Sequence, residues 1–138
     1  MNITCVIVDD EKLARDLLQE YTQQMPNLQV LGEASKGKDA VELIDKLKPD
    51  LVFLDVQMPG MTGFDVVDEI THDPHVIFCT AYDQYAIKAF EKGAVDYILK
   101  PLDQERFRLA VERAIGRMKV DENSVGELLR NLKTENKT

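Results

Sequence analysis

Five short apolar runs, at 3–8, 28–31, 51–54, 76–79 and 94–99, alternate with stretches whose apolar residues recur every three or four positions. Runs this short, rich in Val and Ile and apolar at consecutive positions, suit strands covered on both faces. Between them, Leu13, Leu17, Leu18 and Tyr21 make one helical stripe, and Ala40, Val41, Leu43, Ile44 and Leu47 a second. Phe64, Val67 and Ile70 follow the third run, and Phe107, Val111, Ala114, Ile115 and Met118 form the clearest stripe after the last. Strict alternation with short links predicts a parallel sheet wound by right-handed crossovers, an α/β domain. Pro26, Pro49, Pro74 and Gly93 fall between the periodic segments, where breakers belong. At 138 residues and 44% hydrophobic, the chain suffices for one such domain.

The pattern changes from Val120. Residues 121–124 are polar, and Val125, Leu128, Leu129 and Leu132 then give a brief helical stripe before a polar end. The expected organisation is a domain over 1–119 and a tail or linker helix over 120–138.

Charge and composition exclude several classes. The net charge of −8 argues against holding nucleic acid by counterion release, so DNA is not an expected partner of this chain by itself. No stretch approaches the roughly 18 apolar residues of a membrane span, and no basic segment precedes an apolar one at the N-terminus. A cytoplasmic location without membrane contact is expected. Cys5 and Cys79 each sit inside an apolar run without metal-ligand spacing, and read as reduced core residues.

In an open parallel sheet, ligands bind beyond the carboxyl ends of the strands. The first run ends in Asp9-Asp10, the third in Asp55, the fourth in Thr80 and the fifth in Lys100-Pro101. An Asp after a strand is commonly just a helix cap or turn residue. Four such ends converging is a different matter. Three carboxylates brought together repel, and one divalent cation plus one lysine would neutralise them. Oxygen ligands with several waters are what Mg²⁺ prefers.

One near-motif fails. Gly32-Glu33-Ala34-Ser35-Lys36-Gly37-Lys38-Asp39 almost spells a phosphate-cradling loop. Asp39 lacks the hydroxyl required at the last position and brings negative charge instead, so no nucleotide is expected there. Asp39 complements the dipole of the helix that it opens.

The set Val8-Asp9-Asp10-Glu11, Leu54-Asp55-Val56-Gln57-Met58-Pro59-Gly60, Thr80-Ala81 and Leu99-Lys100-Pro101 resembles the receiver domain of two-component response regulators, over residues 3–119. Thr80-Ala81-Tyr82-Asp83-Gln84-Tyr85-Ala86 and Ala89-Phe90-Glu91 look further like the LytR/AlgR subgroup, whose members usually carry a LytTR-type DNA-binding domain after the receiver. The resemblance implies a flavodoxin-like, three-layer fold with strand order 2-1-3-4-5. It also implies that Asp55 accepts a phosphoryl group from a phosphohistidine of a sensor histidine kinase. Asp10, Asp55 and the backbone carbonyl of Gln57 would ligate Mg²⁺, with Asp9 acting through water. Lys100 would neutralise the phosphoryl group, and a cis peptide would precede Pro101. Thr80 and Tyr97 resemble the switch pair, the Tyr97 ring turning inward as the Thr80 hydroxyl moves to the phosphoryl group. Gln57 and Tyr82 would border the path of attacking water and set the lifetime of the acyl phosphate.

The segment 84–92 carries Tyr85, Ala86, Ile87, Ala89 and Phe90, more apolar residues than one buried face needs. With Ala86, Ala89 and Phe90 facing the sheet, Tyr85 and Ile87 are expected on an output face that could serve a homodimer or a partner. Chemistry directed only at the chain itself makes this a switch rather than an enzyme. Two other functions fit parts of the pattern. A Mg²⁺-dependent phosphohydrolase with an Asp nucleophile would place Asp-x-Asp after the first strand, but Asp9 and Asp10 are adjacent. A receiver-like interaction module without phosphorylation would not need every residue of the set.

Overall fold

Val and Ile at consecutive positions of Ile3–Val8 make the central strand, because their branched side chains pack well on both faces of a pleated sheet. The computed structural model describes residues 2–135. Its elements run β1 (Ile3–Val8), α1 (Lys12–Gln23), β2 (Leu28–Ala34), α2 (Gly37–Leu47), β3 (Leu51–Leu54), α3 (Gly63–Glu69), β4 (His75–Thr80), α4 (Ala86–Glu91), β5 (Asp96–Leu99) and α5 (Gln104–Glu135). Every strand pair is parallel, in the order β2-β1-β3-β4-β5 expected from the family resemblance.

Strand alternation splits the core into two layers. Val6, Val8, Val52, Leu54, Val76 and Phe78 point to one face, where Ala40 and Ile44 of α2, Phe64 and Val66 of α3 and Ala89 of α4 cover them. Cys5, Ile7, Leu51, Phe53, Ile77 and Cys79 point to the other, under Leu18 of α1 and Phe107, Val111 and Ala114 of α5. Phe53, Phe78 and Phe107 are fully buried, each contributing roughly 1.5–3 kcal/mol through apolar surface removed from water. Burial raises the Cys5 thiol to about 12, which keeps it neutral and unreactive.

Three boundaries differ from the sequence reading. β2 extends to Ala34, because residues 32–34 pair with Val6–Val8 before the chain leaves the sheet. β5 begins at Asp96, whose buried carboxylate accepts paired hydrogen bonds from Arg106 at 2.8 and 2.7 Å and a third from Arg113 at 2.9 Å. Burial opposes that charge, but the hydrogen bonds from Arg106 and the Tyr97 N–H, together with the charges of Arg106 and Arg113, outweigh it and hold the carboxyl below its ordinary value. α5 runs unbroken from Gln104 to Glu135, so position 119/120 lies inside one helix. Residues 121–124 are polar but contain neither Gly nor Pro to stop it. Beyond the sheet, Leu128, Leu129 and Leu132 of this helix are exposed. Met1, residues 136–138 and the Val125 side chain lie outside the described residues.

Candidate functional site

Parallel register brings the strand ends into line. Val8 pairs with Leu54 and Thr80 with Leu99, so Asp9, Asp55, Thr80 and Lys100 emerge at one edge of the sheet. The backbone ties them further: the Asp55 N–H donates to the Val8 carbonyl at 3.0 Å and the Lys100 N–H to the Thr80 carbonyl at 2.8 Å. The Lys100–Pro101 peptide is cis.

Lys100 is the hub. Its Nζ lies 2.9 Å from Asp9 Oδ2, 3.2 Å from Asp55 Oδ2 and 3.3 Å from Glu11 Oε1. The remaining oxygens are held by loop amides, with Asp9 Oδ1 accepting from the Glu11 N–H at 2.9 Å and Asp55 Oδ1 from the Gln57 N–H at 3.2 Å. Arg15 Nη1 donates to the Asp9 carbonyl at 2.8 Å and fixes the turn from below. Asp9 and Asp55 are buried, whereas Asp10 and Glu11 are exposed.

The electrostatics follow from burial. Removal from water pushes the Asp9 carboxyl above its ordinary value, although Lys100 and the Glu11 amide pull the other way. Burial also opposes the charge on Lys100, but its hydrogen bond to Asp9 and the charges of Asp55 and Asp9 overcome this and raise its pKa. Lys100 is therefore firmly protonated.

Oxygens of Asp9, Asp10, Glu11 and Asp55 all lie within 4.8 Å of one another. With one lysine against four carboxylates, the site keeps a formal excess of negative charge that a hard divalent cation fits by donor chemistry. Glu11 joins the cluster, although the sequence reading places it only in the run Val8-Asp9-Asp10-Glu11 and gives it no role. The signal available was the uninterrupted acidic triplet 9–11.

The loop beyond Asp55 depends on two glycines for different reasons. Gly60 has φ +84°, a left-handed conformation that costs a residue without Cβ nothing. Gly63, the first residue of α3, has ordinary backbone angles, but a Cβ there would lie 2.2 Å from the Asp55 carbonyl oxygen. Its N–H donates to the Val56 carbonyl at 2.9 Å, and Thr62 and Asp65 close a reciprocal capping box around the start of the helix. The helix start is thus pressed against the backbone of Asp55. Gly63→Ala is expected to lower stability by roughly 1–3 kcal/mol through overpacking. It should also displace Asp55, which chemical denaturation and divalent-cation titration would register together.

The Thr80 hydroxyl is buried with no hydrogen-bond partner among the described residues. The Tyr97 ring is already buried, its hydroxyl donating to the Tyr82 carbonyl. Tyr82 is exposed at the rim.

α4 corrects the expected output face. It covers only 86–91, and Ala89 alone is fully buried, while Phe90, expected to face the sheet, is 52% exposed. Ile87 is 77% exposed. Tyr85, placed on that face by helical spacing, instead turns inward. Its hydroxyl accepts a 2.8 Å hydrogen bond from Gln57 Nε2, and its ring meets Phe64 and Tyr82 edge-on, each with centroids 6.1 Å apart. Tyr85 precedes the first full turn of the helix with φ −100°, ψ 4°, so extrapolating α4's periodicity back to it misplaces the side chain.

Residues 5–112 match the family model of the response regulator receiver domain. The transcriptional regulatory protein BtsR of Escherichia coli K12 is 42% identical over 113 residues, covering 80% of this chain and 47% of that protein. The chain thus spans about half the length of the curated relatives it matches. Among solved structures, the REC domain of AraT, a response regulator from Geobacillus stearothermophilus, superposes with a TM-score of 0.78 at 30% identity, covering 88% of this chain and 99% of that one. The CheX–CheY–BeF3–Mg²⁺ complex from Borrelia burgdorferi matches with a TM-score of 0.73 at 27% identity, covering 79% and 86%.

Proposed function

The chain belongs to the response regulator receiver domain family, and on that premise we propose that it is a phosphorylation switch whose acceptor is Asp55. Receivers are signalling modules that take phosphoryl groups from sensor histidine kinases. The observation that carries the assignment to Asp55 is its buried carboxylate at the end of β3, with the Lys100 ammonium 3.2 Å away and three further acids around it.

In the proposed reaction, an Asp55 carboxylate oxygen forms a bond to phosphorus as the P–N bond of a kinase phosphohistidine breaks. The bonding pair leaves with the imidazole nitrogen. Lys100 offsets the negative charge on the phosphoryl oxygens, and the unpaired Thr80 hydroxyl donates to one of them. Asp10, Asp55 and the Gln57 carbonyl would hold Mg²⁺, with Asp9 acting through water. The cation supplies charge neutralisation for two anions that otherwise repel. That the Borrelia neighbour was solved with BeF3 and Mg²⁺ supports this choice of ion.

Phosphorylation engages Thr80 and fixes the buried Tyr97 ring, giving the α4–β5–α5 face one defined shape. We read the chain as a LytR/AlgR-type receiver over 1–119, with 120–138 leading to an output region that regulates transcription. DNA contact belongs to that region, not to this chain. Self-association through the face is part of the proposal, and exposed Ile87 is its apolar centre. Sedimentation should show a heavier species on phosphorylation, and Ile87→Glu should reduce it at least severalfold.

One incubation separates this reading from its rivals. With phosphoramidate and Mg²⁺, intact mass should rise by one phosphoryl group per chain. Turnover of the donor without retained label would indicate a phosphohydrolase, and an unchanged mass without donor turnover an inert interaction module. Asp10→Ala should weaken Mg²⁺ binding at least tenfold by titration, since one direct ligand and its charge are lost.

A further inference from the structure

The hydrogen bond from Gln57 to Tyr85 joins two parts of the molecule that have separate duties. Gln57 lies in the loop two residues beyond Asp55, and its backbone N–H already touches the Asp55 carboxylate. Tyr85 is the N-cap residue of α4. Its ring is seated against Phe64 and Tyr82, so the hydroxyl is presented from a fixed platform. The 2.8 Å bond to Nε2 draws the Gln57 amide toward α4. An amide held there is not free to swing across the Asp55 carboxylate.

We propose that Tyr85 is a positioning residue: its hydroxyl holds the Gln57 side chain against α4 and away from the path of water to the Asp55 phosphoryl group, prolonging the phosphorylated state. This rests on Asp55 being the acceptor. A glutamine amide can orient a water for attack on phosphorus, as glutamines do in nucleotide hydrolysis. Restraining that amide withholds the help. Because the restraint is anchored on α4, a partner that shifts α4 would release Gln57 and shorten the signal.

The test uses Tyr85→Phe, which removes the hydroxyl and keeps the ring, alongside wild type, Gln57→Ala and the double variant. Each is charged with phosphoramidate and Mg²⁺, freed of donor, and followed by intact mass. Loss of the phosphoryl group should be roughly fivefold faster in Tyr85→Phe, the equivalent of one ordinary hydrogen bond. The same substitution should change nothing further when Gln57 is already Ala. An equal or slower loss in Tyr85→Phe, or acceleration that persists without Gln57, would overturn the proposal. The Gln57 side-chain amide signal in NMR of the uncharged protein gives a second reading, independent of phosphorylation. It should shift in Tyr85→Phe, and an unmoved signal overturns the restraint. If wild type takes up no label, the acceptor assignment fails, and with it the proposed role in lifetime.

Discussion

Lys100→Ala is expected to be the most damaging single change to this site. It leaves the buried carboxylates of Asp9 and Asp55 without the ammonium that lies within 3.2 Å of both. Breaking a buried pair by removing one partner costs roughly 3–5 kcal/mol, so the unfolding midpoint in denaturant should fall sharply at pH 7 in the absence of divalent cation. The sign of the pH dependence is fixed by the directions of the shifts. Lys100 has a raised pKa, so its contribution is fully present at neutral pH and is lost only in strongly alkaline solution. The Asp9 pKa is raised as well, so the folded state takes up a proton there more readily than the unfolded chain. Without Lys100 that tendency grows, and the deficit relative to wild type should shrink as the pH falls toward 5. Added Mg²⁺ should recover part of it at pH 7. A stability loss that is constant across this range and indifferent to Mg²⁺ would mean that Lys100 acts through packing rather than charge. Labelling by phosphoramidate should also slow by about a hundredfold or more, the scale seen when one group that stabilises transition-state charge is removed.

Asp55→Asn should abolish labelling altogether. The amide has no anionic oxygen to form the acyl bond, and Asp9, the other buried carboxylate of the cluster, is committed to Lys100 and the Glu11 amide. The fold should not suffer. One of two buried like charges is removed while the Lys100–Asp9 pair remains, so the unfolding midpoint should hold or rise. A loss of several kcal/mol in unfolding free energy would show that the carboxylate has a structural duty instead.

Much of this site could be read from residue types at strand ends. Asp9, Asp55, Thr80 and Lys100 follow apolar runs, and a parallel sheet can only bring such positions to one edge. Three features resisted that reading, each for a physical reason. Glu11 belongs to the acidic cluster because the turn after β1 folds back on the Asp9 carboxylate, a geometry set by one backbone N–H bond. The need for glycine at 63 comes from the approach of α3 to the Asp55 carbonyl, a distance that no spacing in sequence encodes. Tyr85 turns inward because α4 begins only at Ala86, leaving helical periodicity with nothing to say about its N-cap. In α5, by contrast, the polar stretch 121–124 suggested a change of element, yet polarity alone does not end a helix whose backbone bonds are intact.

A single carboxylate, Asp55, is proposed to carry the signal. The most direct test is to label the wild-type chain with phosphoramidate and Mg²⁺, reduce the acyl phosphate with borohydride, and map the modified residue by peptide mass spectrometry. Reduction to homoserine confined to position 55, replaced there by a hydroxamate when hydroxylamine is added before reduction and absent when Mg²⁺ is chelated during labelling, is the result expected. Modification at Asp9, Asp10 or a hydroxyl side chain, with position 55 unchanged, would contradict it.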